Sequence, residues 1–280
     1  MRIAGVVLLL AALGVTTALV LAARRWQARS ASLVGQLTAA GSPASSVYSA
    51  EALGDLPAPV VRYFRTALRD GQPIIHQVRL EQEGEFLLKA PDGWRPFTAV
   101  QHIDPVGFVW EARIRMIPGV PVLVRDGFVA GAGSMHASVL GLITMVSQEG
   151  TPEIASAALM RYLAEAVWCP TALLPSQGVR WSPVDDSTAR ATLSVGPITV
   201  SLDYQFGADG LVRGVYAPDR GRDVNGRSVP TPWQGRWSEW GERDGMRIPL
   251  RGEVEWILPE GALPYWRGRV TGISFALSER

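Results

Sequence analysis

An α+β fold built on one large antiparallel sheet is what this sequence predicts. Long stretches after Ile74 alternate apolar and charged side chains with a period of two. Asp-Gly and Asn-Gly pairs, the turn chemistry of tight hairpins, punctuate those stretches. Two segments, one before these stretches and one between them, carry helical spacing instead. Together these predict a curved antiparallel sheet of about 10–11 strands, an unclosed barrel covered by helices. One N-terminal transmembrane helix precedes it.

The first element is the apolar run from Ile3 to Ala23. At about 21 residues it is long enough to cross roughly 30 Å of hydrocarbon as a helix. Ala22 and Ala23 would suit signal cleavage, but signal cores are shorter, about 7–15 residues, so the reading is a retained anchor. No cysteine follows to take a lipid. Arg24, Arg25 and Arg29 follow the run and only Arg2 precedes it, which favours a cytoplasmic domain; a short signal anchor would place it outside. The expected location is a bacterial cytoplasmic membrane, crossed once, with the side of the domain open. Residues 24–54, rich in Ser, Ala, Gly and Gln, read as a spacer, and residues 55–280 as a single β-rich domain.

The domain opens with a short amphipathic helix in which Val60, Tyr63, Phe64, Ala67 and Leu68 oppose Arg62, Arg65 and Arg69; Gly71 and Pro73 end it. Strands follow. Phe108, Trp110, Ala112, Ile114 and Met116 point one way, and Val109, Glu111, Arg113 and Arg115 the other, to water. The same rhythm recurs at Val78–Leu88, Ile198–Phe206 and Leu250–Leu258. Asp92-Gly93, Asp126-Gly127, Asp209-Gly210, Asn225-Gly226 and Asp244-Gly245 mark turns. Half-wet strands joined by hairpins exclude a parallel sheet covered on both faces. One longer helix interrupts them: Thr151 caps it, Pro152 opens it, Ile154, Ala158, Leu159, Tyr162, Leu163 and Val167 form its apolar stripe, and Pro170 ends it. The order is helix, about five strands, helix, about six strands.

Composition narrows the function classes. The 280 residues hold 27 basic and 26 acidic side chains, a net charge near +1, without the clustered basic excess that nucleic acid requires. The single cysteine, Cys169, excludes an intramolecular disulfide and reads as a buried, inert thiol. There is no phosphate loop, nucleophile elbow or paired-cysteine site, and Gly131-Ala132-Gly133 is too short for a dinucleotide fingerprint. His76, His102 and His136 are too dispersed to assign a metal, so no metal, cofactor or catalytic residue is named.

Arg161 and Glu165 lie four apart on the interrupting helix, beside its apolar stripe, and should pair. They serve either as a plain ion pair or to orient a ligand. Tryptophan is abundant, with ten in the chain and a cluster at Trp233, Trp237, Trp240, Trp256 and Trp266, suited to filling a wide sheet core, lining an apolar cavity or sitting near a bilayer interface. The candidate ligand-binding residues are Arg161, Glu165, Tyr162, Trp168, Trp110 and Trp256.

The segments LPAPVVRYF, GFVWEARIRM, LMRYLAEAVWCPTALLPS, ERDGMRIPLRGEVEW and PYWRGRV resemble a family of bacterial membrane-anchored proteins of unknown function. That resemblance carries no activity onto any residue. In element order the chain is also similar to the periplasmic lipoprotein carriers, whose unclosed barrel shelters acyl chains under helices; the retained anchor departs from them. The expectation is a membrane-anchored protein holding a lipid or other hydrophobic ligand between sheet and covering helix. The alternatives are an acid–base enzyme using Glu165 and Arg161, and a structural envelope-assembly protein whose protein partners the sequence does not name.

Overall fold

A computed structural model describes residues 2–39, 46–88, 93–105 and 107–277. Three α-helices and thirteen strands are present among them. Helix α1 (Arg2–Thr38) is followed by a 3-10 turn (Ala50–Leu53) and α2 (Ala58–Ala67). The first meander comprises β1 (Ile75–Leu87), β2 (Trp94–Asp104), β3 (Gly107–Ile117), β4 (Val120–Val129), β5 (Ala132–Val139) and β6 (Ile143–Glu149). Helix α3 (Pro152–Glu165) and three 3-10 turns lead to the second meander. That one comprises β7 (Arg180–Pro183), β8 (Thr188–Val195), β9 (Ile198–Phe206), β10 (Val212–Val224), β11 (Arg227–Arg243), β12 (Met246–Leu258) and β13 (Gly261–Leu277).

All thirteen strands form one antiparallel sheet, in the order β6-β5-β4-β3-β2-β1-β13-β12-β11-β10-β9-β8-β7. The first and last strands of the domain, β1 and β13, pair at its centre, and β6 and β7 are its edges. This topology places α3. The chain leaving one edge must reach the other, and it does so across the inner face, packing on β5, β9, β4 and β10. Thr151 caps the helix by accepting the Ile154 N–H at 3.3 Å. Near its far end the Tyr204 hydroxyl donates to the Leu163 carbonyl.

The period-two reading holds on the inner face: Phe108, Trp110, Ala112 and Ile114 are all buried, as are Val200, Leu202, Tyr204 and Phe206. On the outer face cross-strand ion pairs run along the centre of the sheet, with Arg269 on Glu83 at 2.5 Å and Arg267 on Glu85 at 2.6 Å. A row of glycines crosses the same strands, Gly84 opposite Gly268 opposite Gly252. A methyl on Gly252 would stand 2.5 Å from the Trp237 ring and one on Gly268 2.7 Å from the Trp266 ring. The missing side chains let two indoles lie against the sheet.

Three local expectations are corrected. The sheet has thirteen strands, beyond the ten or eleven expected, because two short edge strands, β6 and β7, carry too little alternation to read. Asp126-Gly127 is no turn: it lies inside β4, where Asp126 faces inward opposite Trp110. Asn225-Gly226 and Asp244-Gly245 do make hairpin turns, each with both residues at positive φ, and Gly210 turns the chain between β9 and β10 at φ 78°. Asp92 lies outside the described residues. The stretch read as a spacer is helical as far as Thr38.

Helix α1 has an apolar N-terminal part long enough to cross a membrane. Its second half docks on the outer face of β2, β3 and β4. Arg125 donates to the Trp26 carbonyl at 3.2 Å and to Ser30 Oγ at 3.0 Å, and its guanidinium lies 4.4 Å from the centre of the Trp26 ring. Leu37 packs with Val109 and Val129. Val109, read as wet, is therefore fully buried.

Candidate functional site

Between α3 and the inner face of the sheet lies a cavity of about 330 Å³. Its walls are mainly apolar, drawn from β1, β3, β4, β5, β6, β10, β11, β12 and β13, with Arg161, Ala164 and Glu165 of α3 above. Leu88 and Met145, both exposed, border its mouth. Aromatic rings line the sheet side: Trp110, Trp233, Trp237, Tyr265 and Trp266.

A compact charged group is set into this apolar wall. Arg161 reaches from α3 to Asp126 on β4 (Nη1 to Oδ2, 2.6 Å) and to Glu165 one turn on (Nε to Oε1, 2.8 Å). The second Glu165 oxygen accepts from Gln101 Nε2 at 2.6 Å. The Arg161 guanidinium also lies over two rings, 4.8 Å from Trp110 and 5.0 Å from Phe108. Burial by itself would weaken Arg161's hold on its proton, but Glu165 and Asp126 outweigh it and keep the group above the ordinary arginine range. Both Glu165 oxygens are thus engaged by fixed donors, an arrangement that orients side chains.

Arg220 of β10 stands beside this group in a different condition. It lines the cavity, with its guanidinium 4.9 Å from the Trp233 ring centre. Its Nε and Nη1 are buried and have no hydrogen-bond partner. Burial pushes its pKa down, against the pull of Tyr265 and Asp126. A bulge turns it inward: between Ala217 and Arg220 the register with β11 slips, Ala217 pairing with Trp233 and Arg220 with Thr231. Pro218, without an N–H to give the ladder, sits in that bulge.

Of the residues singled out from the sequence, Arg161, Glu165 and Trp110 meet at the cavity. Tyr162 is buried and lines a separate small cavity together with Asp104 and Cys169. Trp168 is buried in the core, its Nε1 donating to the Pro249 carbonyl at 3.0 Å and its ring meeting Trp237 edge-on at 5.0 Å. Trp256 stands one layer out, stacked on Tyr265 at 5.8 Å. Sequence reasoning passed over Asp126, Arg220 and Tyr265, while Trp233, Trp237 and Trp266, noted there only as part of a tryptophan cluster suited to a core or a cavity, line this one. The signal for Arg220 was Pro218, which interrupts the alternation two residues earlier.

The three histidines are on β1, β2 and β5. Among the described residues no group of three or more His, Cys, Asp or Glu is placed to hold a metal ion. Cys169 is buried, and burial raises its thiol to about 11.

Residues 54–275 match the Family of unknown function (DUF6920), a span that includes all five segments on which the family resemblance was read. No curated protein matches the chain. Among solved structures it is similar to a LolA superfamily protein from Nitrosomonas europaea, at 12% identity over 82% of this chain and 94% of that one, with a TM-score of 0.38. It is also similar to a DUF1329 family protein from Desulfovibrio piger, at 12% identity over 79% of this chain and 92% of that one, with a TM-score of 0.42. The chain belongs to the DUF6920 family.

Proposed function

We propose that this member of the DUF6920 family is a membrane-tethered binding module that holds a lipid or other apolar ligand between its sheet and α3. The observation that carries the reading is the cavity of about 330 Å³, apolar over most of its wall and polar at one group of side chains. That is how small-ligand sites are built. Arg161, Glu165 and Trp110 border the ligand space.

The mouth of the cavity supports a membrane source. In an antiparallel meander alternate turns share an edge, so the β1–β2, β3–β4 and β5–β6 turns lie together. They carry exposed Leu88, Ile117, Leu142 and Ile143. Helix α1 leaves the domain on that side: Ala22 lies against Gly141 of the β5–β6 turn, while Leu37 touches Gly107 at the opposite end of the strands. Residues 1–23 are then the anchor in a bacterial cytoplasmic membrane, residues 24–54 the connection and residues 55–280 the binding domain. The apolar tips rest at the lipid surface, beside the mouth.

Mass spectrometry of an organic extract of the purified full chain tests this. A lipid in near-stoichiometric amount is expected, reduced several-fold in Ala164→Leu, which projects into the cavity from α3. An extract without lipid, and no uptake of an apolar fluorophore by either protein, would overturn the reading.

A further inference from the structure

Resting on that reading, we propose that the cavity selects amphiphiles with an acidic head, a carboxylate or phosphate monoester on a single apolar chain, and that Arg220 is the residue that takes the head.

The two arginines of the cavity differ in what they already hold. Arg161 has two carboxylate partners and offers a ligand little. Among the described residues Arg220 has none: no hydrogen bond satisfies its Nε or Nη1, and its guanidinium lies over the Trp233 ring. A guanidinium recruited to neutralise Asp126 and Glu165 would bond to one of them, yet Asp126 accepts from Arg161, and Glu165 from Arg161 and Gln101, instead. An unpartnered cation against apolar walls is costly to bury. A bulge with a proline in it turns this one inward where a regular strand would have left it in water.

Other polar atoms of the cavity wall point the same way. Trp237 and Trp266 line the cavity, and the Nε1 of each is buried without an acceptor. Tyr265 Oη accepts from Trp233 Nε1 at 2.9 Å, which leaves its own proton for donation. The unspent capacity of these lining residues is thus donor capacity, and its complement is a group rich in acceptor oxygens with negative charge. Arginine binds carboxylate and phosphate oxygens through paired N–H groups. A cavity of about 330 Å³ is at the small end for ligand sites and suits one chain.

The test uses the full chain in phosphatidylcholine nanodiscs, with empty nanodiscs correcting for partition. Quenching of the cavity tryptophans is followed during titration with dodecanoate, dodecyl phosphate, dodecanol and inorganic phosphate. The expected result is that both acids bind at least tenfold more tightly than dodecanol, and that inorganic phosphate binds weakly. In Arg220→Met the acids should fall to the affinity of dodecanol, which itself stays unchanged; Arg220→Lys should keep part of the preference, and serves if the methionine variant melts early. Equal binding of acids and alcohol by the wild type, or a preference that survives in Arg220→Met, would overturn the assignment while leaving an apolar site standing. Inorganic phosphate binding as tightly as dodecyl phosphate would identify a free-anion site and overturn the amphiphile. Binding of none of the four would remove the apolar site as well.

Discussion

Arg161 is the residue on which the buried charge of the cavity wall balances. Its removal leaves Asp126 and Glu165 facing each other with no cation between them, and uncompensated buried charge is among the larger single-residue penalties. The sites are partly rather than wholly buried, so Arg161→Met should lower unfolding stability by about 2–3 kcal/mol in a urea titration, short of the full buried-pair penalty. Glu165→Gln, which still offers Arg161 an oxygen, should cost about 1 kcal/mol. A loss for Arg161→Met no greater than for Glu165→Gln would mean that the carboxylates relax into water.

Asp104, at the end of β2, gives a dependence on pH. Burial raises its carboxyl to about 6, against a hydrogen bond from Gln77 that lowers it. The folded state therefore holds the proton at pH values where the unfolded chain has released it, so this group's contribution to stability falls as pH rises from about 4 to about 6. Asp104→Asn should melt higher than the wild type at pH 7, and the gap should narrow as the pH is taken down to 5. A gap that stays constant over that window would show that Asp104 titrates normally.

At the scale of elements, the position of α3 depends on one residue of the strand beneath it. A methyl group on Gly133 of β5 would come within 2.5 Å of the Ile154 carbonyl oxygen and 2.7 Å of the Ala155 backbone, atoms that cannot turn aside. Gly133→Ala should push the start of α3 off the sheet. The expected loss is about 1–3 kcal/mol, as for overpacked cores, with faster amide hydrogen exchange through α3. Unchanged exchange in α3 would show that β5 gives way instead. The glycine was visible in the sequence only as a fragment of an incomplete nucleotide motif. Its meaning came from which helix lies over it, and spacing along the chain does not carry that.

The same limit separates what could be read from what could not. Alternation after Ile74 exposed the sheet and its inner face, and the four-residue spacing of Arg161 and Glu165 exposed their pairing. Both signals are local and periodic. Arg220 was hidden because a bulge breaks the very period on which facing is judged. Asp126 was hidden because Asp-Gly reads as a turn, although here the glycine lies where β3 approaches closely. Val109 was misread because the segment that covers it lies some seventy residues earlier in the chain.

For the whole molecule, the docked half of α1 is part of the fold. Trp26, Ser30, Leu33, Val34 and Leu37 recur at helical spacing and meet the outer face of the sheet. A chain begun at residue 46 should fold, but with Val109 and Val129 open to water. It should lose about 2–4 kcal/mol relative to the full chain in chemical denaturation, the value of a few apolar side chains, and should self-associate in ultracentrifugation. Equal stability with and without α1 would mean that the docking adds nothing to the fold.

That docking also decides how the domain can behave if α1 stands in a bilayer as proposed. A slack linker would let a domain roam, tumble and hand its cargo across a gap. Here the same helix that would be held by lipid is clasped by Arg125, Val109 and Val129 along the strands, and the domain stands like a flag on a mast. Its mouth keeps one height and one bearing over its own leaflet. Cargo would then move on only when a second protein comes to collect it.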